Sequence, residues 1–387
     1  MPPYHPVGSL EIDSEKKHIR RCTMCTSVVL LCTLLIPALA LFYHFMITLD
    51  FHKVSYNHRP GICKEVTGPV YGSEDIELIL PEGMAFITSG VMCMMGGCPA
   101  GKMFLYDFNS NEETPEAKEL KIVGEDFDRE SFFPHGLTSW KINGIIRLYV
   151  ISHSPKHGHT IEVFDYNEKE SFLRHKKTIK NEALISPNDL VAVGPDQFVY
   201  TNDGTAQSLL LNLFHLAIRW RTGSVYYFDA QQFHKLLDGQ PSPNGIMYDK
   251  NKKKLFVSMI SSETINVYNF SPDRPTVKGV SHIAVYSGCD NHFLHEDGSL
   301  YVACHPNMYQ LIRILFDSNN LQRSSPSHVL HLRFDDSYSN ATITEIYSND
   351  GSELSGSATA VLHKNQLLIG SICRNTIVCH VENSSVL

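Results

Sequence analysis

Two near copies of one short stretch, SPNDL at residues 186–190 and SPNGI at residues 242–246, constrain the fold of this chain more than any other feature. Related stretches are PHGL at residues 134–137 and CDNHF at residues 289–293. The four copies follow one another at 53, 56 and 47 residues, counted from the histidine of PHGL and then from one asparagine of each later copy. Repetition at this distance indicates one structural unit that the chain uses several times.

A second series of stretches accompanies the first. Its members are FLYDFN, EVFDYN, VYYFDA, NVYNFS, IRILFD and TIVCHV, which end at residues 109, 167, 230, 271, 317 and 381. With EGMAF at residues 82–86 as the earliest copy of the first series and GSATA at residues 356–360 as the latest, six pairs result. Each unit begins with a turn-like triplet and ends with an aromatic strand, which predicts an all-β, six-bladed propeller.

Short strands bounded by turn residues support the same prediction. HIAVYS, GSLYVACH, KKLFVSM, QFVYTN and QLLIGSI are β-branched or aromatic and are flanked by Gly, Asp, Asn or Lys. A doubly wound α/β fold would alternate strands with amphipathic helices, but only residues 205–220 have that pattern. With 387 residues and 43% hydrophobic content, the chain has the length of one propeller plus an appendage.

An apolar segment precedes the propeller. Residues 22–49 contain no Asp, Glu, Lys or Arg, and a bilayer-spanning helix needs about 20 apolar residues. Four basic residues lie ahead of it: Lys16, Lys17, Arg20 and Arg21. The positive-inside rule then predicts a single-pass type II membrane protein, with residues 1–21 cytoplasmic and residues 50–387 lumenal or extracellular, at the endoplasmic reticulum or the plasma membrane.

A cleavable signal peptide is the alternative interpretation of this segment. Ala38-Leu39-Ala40 resembles a small-residue cleavage site. The apolar run nevertheless continues through Ile47, which makes it longer than the apolar region of an ordinary signal peptide. The length favours an uncleaved anchor.

Sequons and cysteines agree with a lumenal or extracellular propeller. Acceptor sequons for glycosylation begin at Asn269, Asn340 and Asn383. Seven of the ten cysteines follow the apolar segment, and an odd number in an oxidising compartment leaves at least one unpaired or used between chains. Cys63 opens this region and Cys379 nearly closes it, so a disulfide between them would fasten the first blade to the last.

The polar residues of the repeat predict a metal site. In a propeller the first strand of each blade lines the central tunnel, so Asn188, Asn244 and Asn291 would converge there with Asp189 and Asp290. Amide and carboxylate oxygens are the ligands that Ca²⁺ prefers. Asn-Asp and Asn-Gly are also common turn dipeptides, and a turn is the alternative interpretation of each copy alone. The net charge of −8 and the lack of a basic stripe argue against a nucleic-acid partner.

Seven segments together resemble the paraoxonase (arylesterase/lactonase) family, over roughly residues 61–382. They are GSEDIELILPEGMAFITSG, FFPHGLTSW, SPNDLVAVGPDQFVYTND, SPNGI, CDNHF, LYVACHPN and GSATAVLHKNQLLIGSI. The resemblance implies a six-bladed propeller with two calcium ions in its tunnel. With its apolar segment, the chain resembles the nematode paraoxonase-like membrane proteins.

The family's functional positions carry over to this sequence. For the catalytic calcium the implied ligands are Glu74, Asn188, Asn244, Asp290 and Asn291. For the structural calcium they are Asp75, Asp189 and the backbone carbonyl of Leu137. His135 and His153 match the proposed histidine pair, in which His135 removes a proton from water and His153 assists. Taken alone, each of the three histidines of SHSPKHGH would be solvated or structural. The sequence departs from the family at Gly204, where members commonly carry His.

Two functions follow from the resemblance and the anchor. The first is a calcium-dependent hydrolase of lactones or aryl esters, which are small substrates. The second is a non-catalytic chaperone or accessory subunit that assists assembly and surface expression of a degenerin-type sodium channel. The resemblance implies this role because the nematode proteins are associated with assembly of such channels. Residues 205–220 would form a helix that covers the active-site face or contacts the membrane or a membrane partner.

Overall fold

The computed structural model describes residues 8–110, 112–205, 211, 214–215, 218–317 and 323–382. The chain divides into two compact units, one ending at Thr48 and the other beginning at Leu49. The first unit contains a single described helix, α1 (Gly8–Thr48). The second contains the strands that carry the candidate site.

Helix α1 carries the apolar segment. Within it, Val29–Thr48 has 20 residues and a mean hydropathy of 2.1. Residues 29–45 of this span are exposed. Segments of this length and composition serve as membrane anchors or signal sequences. Leu49, the last residue of the uncharged segment 22–49, already belongs to the second unit, where it is buried.

The second unit is a six-bladed β-propeller, as the repeat predicts. Its strands are β1 Cys63–Val66, β2 Ile76–Ile79, β3 Met84–Ser89, β4 Lys102–Asp107, β5 Ala117–Glu119, β6 Lys121–Val123, β7 Pro134–Ile142, β8 Ile145–Ser154, β9 Gly158–Asn167, β10 Phe172–Ile179, β11 Pro187–Gly194, β12 Gln197–Asn202, β13 Gly223–Phe228, β14 Phe233–Gln240, β15 Pro243–Asp249, β16 Lys254–Met259, β17 Thr264–Ser271, β18 Arg274–Ala284, β19 Gly288–Leu294, β20 Leu300–His305, β21 Ser327–Phe334, β22 Ala341–Asn349, β23 Ser357–His363, β24 Gln366–Ser371 and β25 Thr376–His380.

Each blade is an antiparallel sheet whose strands follow chain order from the inside outward. The sheets are β2-β3-β4-β5, β7-β8-β9-β10 with β6 added outside in parallel, β11-β12-β13-β14, β15-β16-β17-β18, β19-β20-β21-β22 and β23-β24-β25-β1. The first strands of all six blades contact their neighbours in a closed ring. The residues that begin these strands therefore converge on one axis.

Burial along the strands explains their composition. All six residues of β20 are buried, because a second strand lies between two neighbouring blades and is covered on both faces. The fourth strands β14 and β18 consist of partly exposed and exposed residues with one buried residue in each, because only one of their faces is covered. Apolar clusters fill the spaces between successive blades, as Leu148, Phe86 and Phe164 do between the first two.

The ring is closed by pairing the two ends of the unit. Strand β1 pairs with β25 in antiparallel register, with Cys63 opposite Cys379, and the two cysteines form a disulfide. The N-terminal strand thus completes the last blade. Short disulfides also join Cys93 to Cys98 and Cys289 to Cys304, and Cys373 is a buried free thiol.

Two predictions of the repeat analysis are wrong in detail. Residues 82–86 are not the start of the first blade; they form the turn between β2 and β3 and the beginning of β3, and the residues equivalent to the other copies are Glu74 and Asp75. The aromatic stretches are the third strands of their blades, except IRILFD. That stretch lies in a helix, α2 (Met308–Phe316), because its apolar residues are spaced three apart.

Helix α2 is fixed at both its start and its apolar face. Asn307 caps its first turn by accepting a hydrogen bond from the Gln310 amide at 3.0 Å. Met308, Leu311 and Ile314 pack on Leu49 and the 3₁₀ turn that begins at Val91. The predicted helix at 205–220 lies mostly outside the described residues; of the described ones, Leu211 and Phe214 are helical and exposed.

Candidate metal and catalytic site in the central tunnel

A β-bulge interrupts the first strand of four blades at the same place. Two residues stand opposite one residue of the second strand, and they are 135–136 in β7, 188–189 in β11, 244–245 in β15 and 290–291 in β19. Bulges re-aim side chains that regular pairing would direct elsewhere. In the first blade the equivalent pair, Glu74 and Asp75, comes just before β2. Every side-chain metal ligand and the first catalytic histidine predicted from the sequence fall in these five pairs.

Five buried oxygen atoms in these pairs have no hydrogen-bond partner. They are Oε2 of Glu74, Oδ1 of Asn188, Oδ1 of Asn244, Oδ1 of Asp290 and Oδ1 of Asn291. These are the five side chains expected to bind the catalytic calcium. A buried polar oxygen without a partner is costly, and carboxylate and amide oxygens are the ligands of Ca²⁺. The residues therefore fit a hard divalent cation.

Other atoms of the same side chains are held in place. Nδ2 of Asn291 donates to Oε1 of Glu74 at 3.1 Å and to the Glu74 carbonyl at 3.0 Å. Nε2 of His305 lies 2.9 Å from Oδ2 of Asp290. Each of these three side chains is thus anchored through one atom while another oxygen is left without a partner.

The set depends on amides as well as acids. A metal site made only of His, Cys, Asp or Glu would need at least three such side chains close together. The described residues contain no such group. Two carboxylates and three amides supply the unpartnered oxygens instead. Oxygen ligands of this kind favour calcium over zinc, which binds His and Cys.

The second predicted group, Asp75, Asp189 and Leu137, is assembled differently. Oδ2 of Asp75 accepts from the Leu137 amide at 2.8 Å, and Oδ2 of Asp189 accepts from the Ile246 amide at 2.7 Å. The remaining carboxylate oxygens accept from Ile76 and Leu190. Both aspartates therefore connect their own blade to the next, and each of their carboxylate oxygens already has at least one donor.

Electrostatics nonetheless favours a cation near this pair. Burial raises the pKa of Asp75 well above its ordinary value, and Glu74 raises it further. Burial, followed by the charge of Asp75, likewise raises the pKa of Asp189 well above its ordinary value. Burial also raises the pKa of Asp290 to about 6 against the opposing effect of His305. A divalent cation would offset this concentration of negative charge.

Two glycines make room for the ligand bulges, by which we mean the bulges that carry the predicted calcium ligands. A Cβ on Gly136 would lie 2.6 Å from the Asn188 carbonyl oxygen, and one on Gly245 would lie 2.1 Å from the Asp290 carbonyl oxygen. Each glycine occupies the second position of its own bulge, so the ligand bulge of the next blade approaches its backbone. The sequence pattern alone does not reveal this packing role of Gly136 and Gly245.

Hydroxyl groups of the second strands support the bulges. Oγ1 of Thr201 donates to the Asn244 carbonyl at 2.6 Å, and Oγ of Ser258 donates to the Asp290 carbonyl at 2.9 Å. Both residues stand opposite the bulge of their own blade and reach the bulge of the next. These contacts, like that of His305, were not predicted from the sequence. The recurrence of Thr or Ser near the end of the second strands was the available signal.

The predicted histidine pair is in contact. Nδ1 of His135 lies 2.7 Å from Nε2 of His153, and Nε2 of His135 lies 3.2 Å from Oε1 of Glu74. Burial lowers the pKa of His135, but Glu74, Asp290 and Asp203 outweigh it and raise that pKa to about 9. Burial, followed by the nearby His135, lowers the pKa of His153 well below its ordinary value. His135, which faces the predicted ligands, thus contacts a second histidine whose lowered pKa favours the neutral form.

The glycosylation sequons differ in what can be described. Asn269 in β17 and Asn340 before β22 are exposed, and Asn269 accepts from Nζ of Lys254 at 2.6 Å. Asn383 lies outside the described residues.

Comparison with known proteins identifies relatives over most of the chain. The family model described as Arylesterase matches residues 57–381. Serum paraoxonase/lactonase 3 of Oryctolagus cuniculus is 33% identical over 330 residues, covering 83% of this chain and 89% of that protein. Serum paraoxonase/arylesterase 1 of Homo sapiens is 31% identical over 325 residues, covering 82% and 88%.

Solved structures resemble the propeller at lower sequence identity. Luciferin-regenerating enzyme has a TM-score of 0.52 and 10% identity, covering 83% of this chain and 96% of that chain. The PQQ-bound form of aldose sugar dehydrogenase from Streptomyces coelicolor has a TM-score of 0.50 and 12% identity, covering 84% and 99%. These two proteins have different chemistries, so the shared propeller indicates the fold and leaves the function to the site.

Proposed function

The chain belongs to the arylesterase family, and on that premise we propose that it is a membrane-anchored, calcium-dependent hydrolase of lactones or aryl esters. The relatives named above are paraoxonases, arylesterases and lactonases, which supports a hydrolase role. The observation that carries the finer proposal is the set of five buried, unpartnered oxygens beside a histidine pair. Ester and lactone hydrolysis requires both a means of stabilising an oxyanion and a base for water.

Each residue has a defined part in this chemistry. Glu74, Asn188, Asn244, Asp290 and Asn291 would hold the catalytic calcium. When bound, that ion supplies a Lewis acid that polarises the substrate carbonyl. His135 would accept a proton from the attacking water at Nε2, because calcium bound by Glu74 and Asp290 would offset the charges that raise the pKa of this ring. His153 holds His135 through its other ring nitrogen and stabilises the protonated ring. A second ion at Asp75, Asp189 and Leu137 would stabilise the contacts between the first three blades.

We also propose that α1 remains in the protein as an anchor, with the propeller on the lumenal or extracellular side. Four basic residues precede the apolar segment and favour this orientation. The three disulfides of the described residues support an oxidising compartment. Protease protection of the full chain in microsomes would test the orientation: the propeller is expected to be protected until detergent is added.

The hydrolase proposal is tested with the purified full chain in detergent or nanodiscs. A panel of lactones and aryl esters is assayed with calcium, with chelator, and after calcium is restored. Turnover is expected to disappear with chelator, to return with calcium, and to be lost in His135→Gln. Absence of turnover in a protein that binds calcium would contradict the proposal.

One observation, the apolar helix α1, favours a second candidate function as an accessory subunit of a membrane channel of the degenerin type. An anchored propeller could assist assembly of a neighbouring membrane protein whether or not it turns over a substrate. Channel surface expression would be measured with the wild-type chain, His135→Gln and Asn244→Ala. The accessory function predicts that His135→Gln still supports expression; absence of any effect of the wild-type chain would contradict it.

A further inference from the structure

Three histidines form one continuous chain of ring contacts. Beyond the pair already described, Nδ1 of His153 lies 2.7 Å from Nδ1 of His159. His153 and His159 stand directly opposite each other in the hairpin β8–β9. The ring centroids of both successive pairs are 4.8 Å apart. The function proposed above uses only the first two rings.

The chain of rings runs from the site toward solvent. His153 is buried, whereas His159 is partly exposed and adjoins the exposed loop 155–158. At the other end of the chain of rings, Nε2 of His135 contacts Oε1 of Glu74, one of the predicted calcium ligands. The three imidazoles therefore span the distance from the proposed water-activating nitrogen to the edge of the protein.

We propose that His159 is a positioning residue that completes a three-imidazole proton relay and carries the proton released in hydrolysis to solvent. This inference rests on the proposed hydrolase function. The printed contacts fix which nitrogens take part: Nδ1 of His135 with Nε2 of His153, and Nδ1 of His153 with Nδ1 of His159. Nε2 of His159 is the remaining nitrogen of the outer ring.

The relay takes up one proton at His135 and releases one proton at His159. Calcium bound by Glu74 and Asp290 would offset the charges that raise the pKa of His135. The relay then begins from the tautomers with protons on Nδ1 of His135, Nδ1 of His153 and Nε2 of His159, which leave Nε2 of His135 able to accept. When that nitrogen takes a proton from water, the Nδ1 proton of His135 passes to Nε2 of His153. The Nδ1 proton of His153 then passes to Nδ1 of His159, and the Nε2 proton of His159 leaves to solvent. One proton enters, one leaves, and all three rings end neutral.

The surroundings of the outer rings suit this role. Burial and then the nearby His135 lower the pKa of His159, and burial is also the main cause of the low pKa of His153. The lowered pKa values favour the neutral imidazole in both rings, the state in which an imidazole can accept and donate in one step. The groups known to act on His159 are His153, through contact, and His135, through its charge.

The same loop provides a matched control. His157 is two residues from His159, and its Nε2 lies 2.9 Å from Oδ2 of Asp128, outside the relay. His159→Gln and His157→Gln therefore make the same chemical change in one hairpin. Only the first interrupts the chain of rings.

The test measures kcat and KM of the full chain on a lactone that the wild type hydrolyses, in H₂O, in D₂O and in their mixtures, for wild type, His159→Gln and His157→Gln. His159→Gln is expected to lower kcat about 10-fold with little change in KM, a loss below the 10²–10⁴ of direct acid–base catalysis. It is also expected to reduce the number of protons seen in the solvent isotope inventory. In His159→Ala, added imidazole should restore kcat; in His157→Ala it should have no effect. Rescue by imidazole separates lost proton transfer from misfolding.

Two results would overturn the proposal, and they are distinguishable. If wild type hydrolyses lactones but His159→Gln matches it in kcat and isotope inventory, the relay is wrong and the hydrolase function stands. If wild type shows no turnover with calcium bound, the hydrolase function and the relay that depends on it both fail.

Discussion

Nδ2 of Asn291 donates to Oε1 of Glu74 across 3.1 Å, although the two residues are 217 positions apart in the chain. The bond connects the fifth blade to the first across the tunnel and leaves Oδ1 of Asn291 and Oε2 of Glu74 without partners. Ring closure therefore creates the candidate calcium site. Fold stability and calcium affinity should consequently change together.

Removing one amide ligand should affect the calcium-bound protein more than the calcium-free one. Oδ1 of Asn244 is buried without a partner, so Asn244→Ala removes little stabilisation when calcium is absent. With calcium it removes a ligand, and affinity should fall about 10- to 100-fold, as when groups around a metal site are removed. Calorimetric titration and thermal unfolding with and without chelator would measure both effects.

The control for this variant is Asn266→Ala, since Asn266 is also buried but bonds His282 in the fourth blade. It should lower the melting temperature equally in calcium and in chelator. Equal losses for Asn244→Ala in the two conditions would contradict a ligand role.

Adding a methyl group at Gly245 should disrupt the site through the backbone. Its Cβ would lie 2.1 Å from the Asp290 carbonyl oxygen, so the ligand bulge of β19 must move. Gly245→Ala should destabilise the propeller by about 1–3 kcal/mol or more, as overpacking does, and should weaken calcium binding. Denaturant unfolding and calcium titration would measure this.

Gly279→Ala is the matched control, because a Cβ at Gly279 meets nothing within 4 Å. Its effect should stay within about 0.5 kcal/mol, the usual range for surface substitutions. If both variants behave alike, the close approach at Gly245 has no energetic importance.

Calcium removal should make stability depend on pH in a defined direction. The pKa of Asp290 is raised to about 6 and that of Glu77 to about 7, and burial is the main cause for both. Groups whose folded pKa is raised contribute stability that is present at low pH and lost as pH rises through the folded value. The chelated protein should therefore lose stability from about pH 4 to pH 7, whereas bound calcium should offset the loss by favouring the ionised carboxylates.

Denaturant unfolding at pH 4 to 8, with calcium and with chelator, would measure this difference. The comparison at each pH cancels contributions from histidines far from the site. A gap between the two conditions that does not widen as pH rises would be evidence against carboxylate ligands in the tunnel.

The disulfide between Cys289 and Cys304 should support calcium binding. Cys289 immediately precedes Asp290, and its partner lies opposite on β20, so the bond fixes the base of the ligand bulge. Replacing both cysteines by serine should weaken calcium binding as well as lower stability, by about 3 kcal/mol for a loop near 15 residues.

Serine replacement of Cys93 and Cys98, a disulfide with a sequence separation of 5, is the matched control. It should leave calcium affinity unchanged. Calcium titration of both double variants under oxidising conditions would decide the point; equal affinities would exclude a positioning role for the Cys289–Cys304 bond.

Much of the fold could be predicted because each blade repeats a pattern read over a few residues. The turn-like triplets mark the bulges at Asn188, Asn244 and Asp290, and the β-branched runs mark the second strands. IRILFD was misassigned because a short apolar run fits either a strand or a helix. The Asn307 cap and packing on Leu49 decide for the helix, and the latter contact is remote in sequence.

The site could be predicted only in part. Family resemblance supplied the expected ligands and the histidine pair, but the roles of His305, His159 and the two bulge glycines depend on contacts between strands or blades. The sequence does not single out His159, because it lies in a stretch with three histidines, where composition favours a solvated role for each histidine. Register decides otherwise, because β8 and β9 place His159 opposite His153. Such pairings are set by turn length, which the residue pattern does not specify.

Calcium dependence of turnover tests the central claim most directly. Lactone hydrolysis by the full chain would be measured across free calcium concentrations for wild type and Asn244→Ala, beside calcium affinity by titration. The account predicts that half-maximal turnover coincides with half-saturation in wild type, and that both shift to higher calcium together in Asn244→Ala. Turnover that persists in chelator, or that is unmoved by Asn244→Ala while calcium affinity falls, would contradict it.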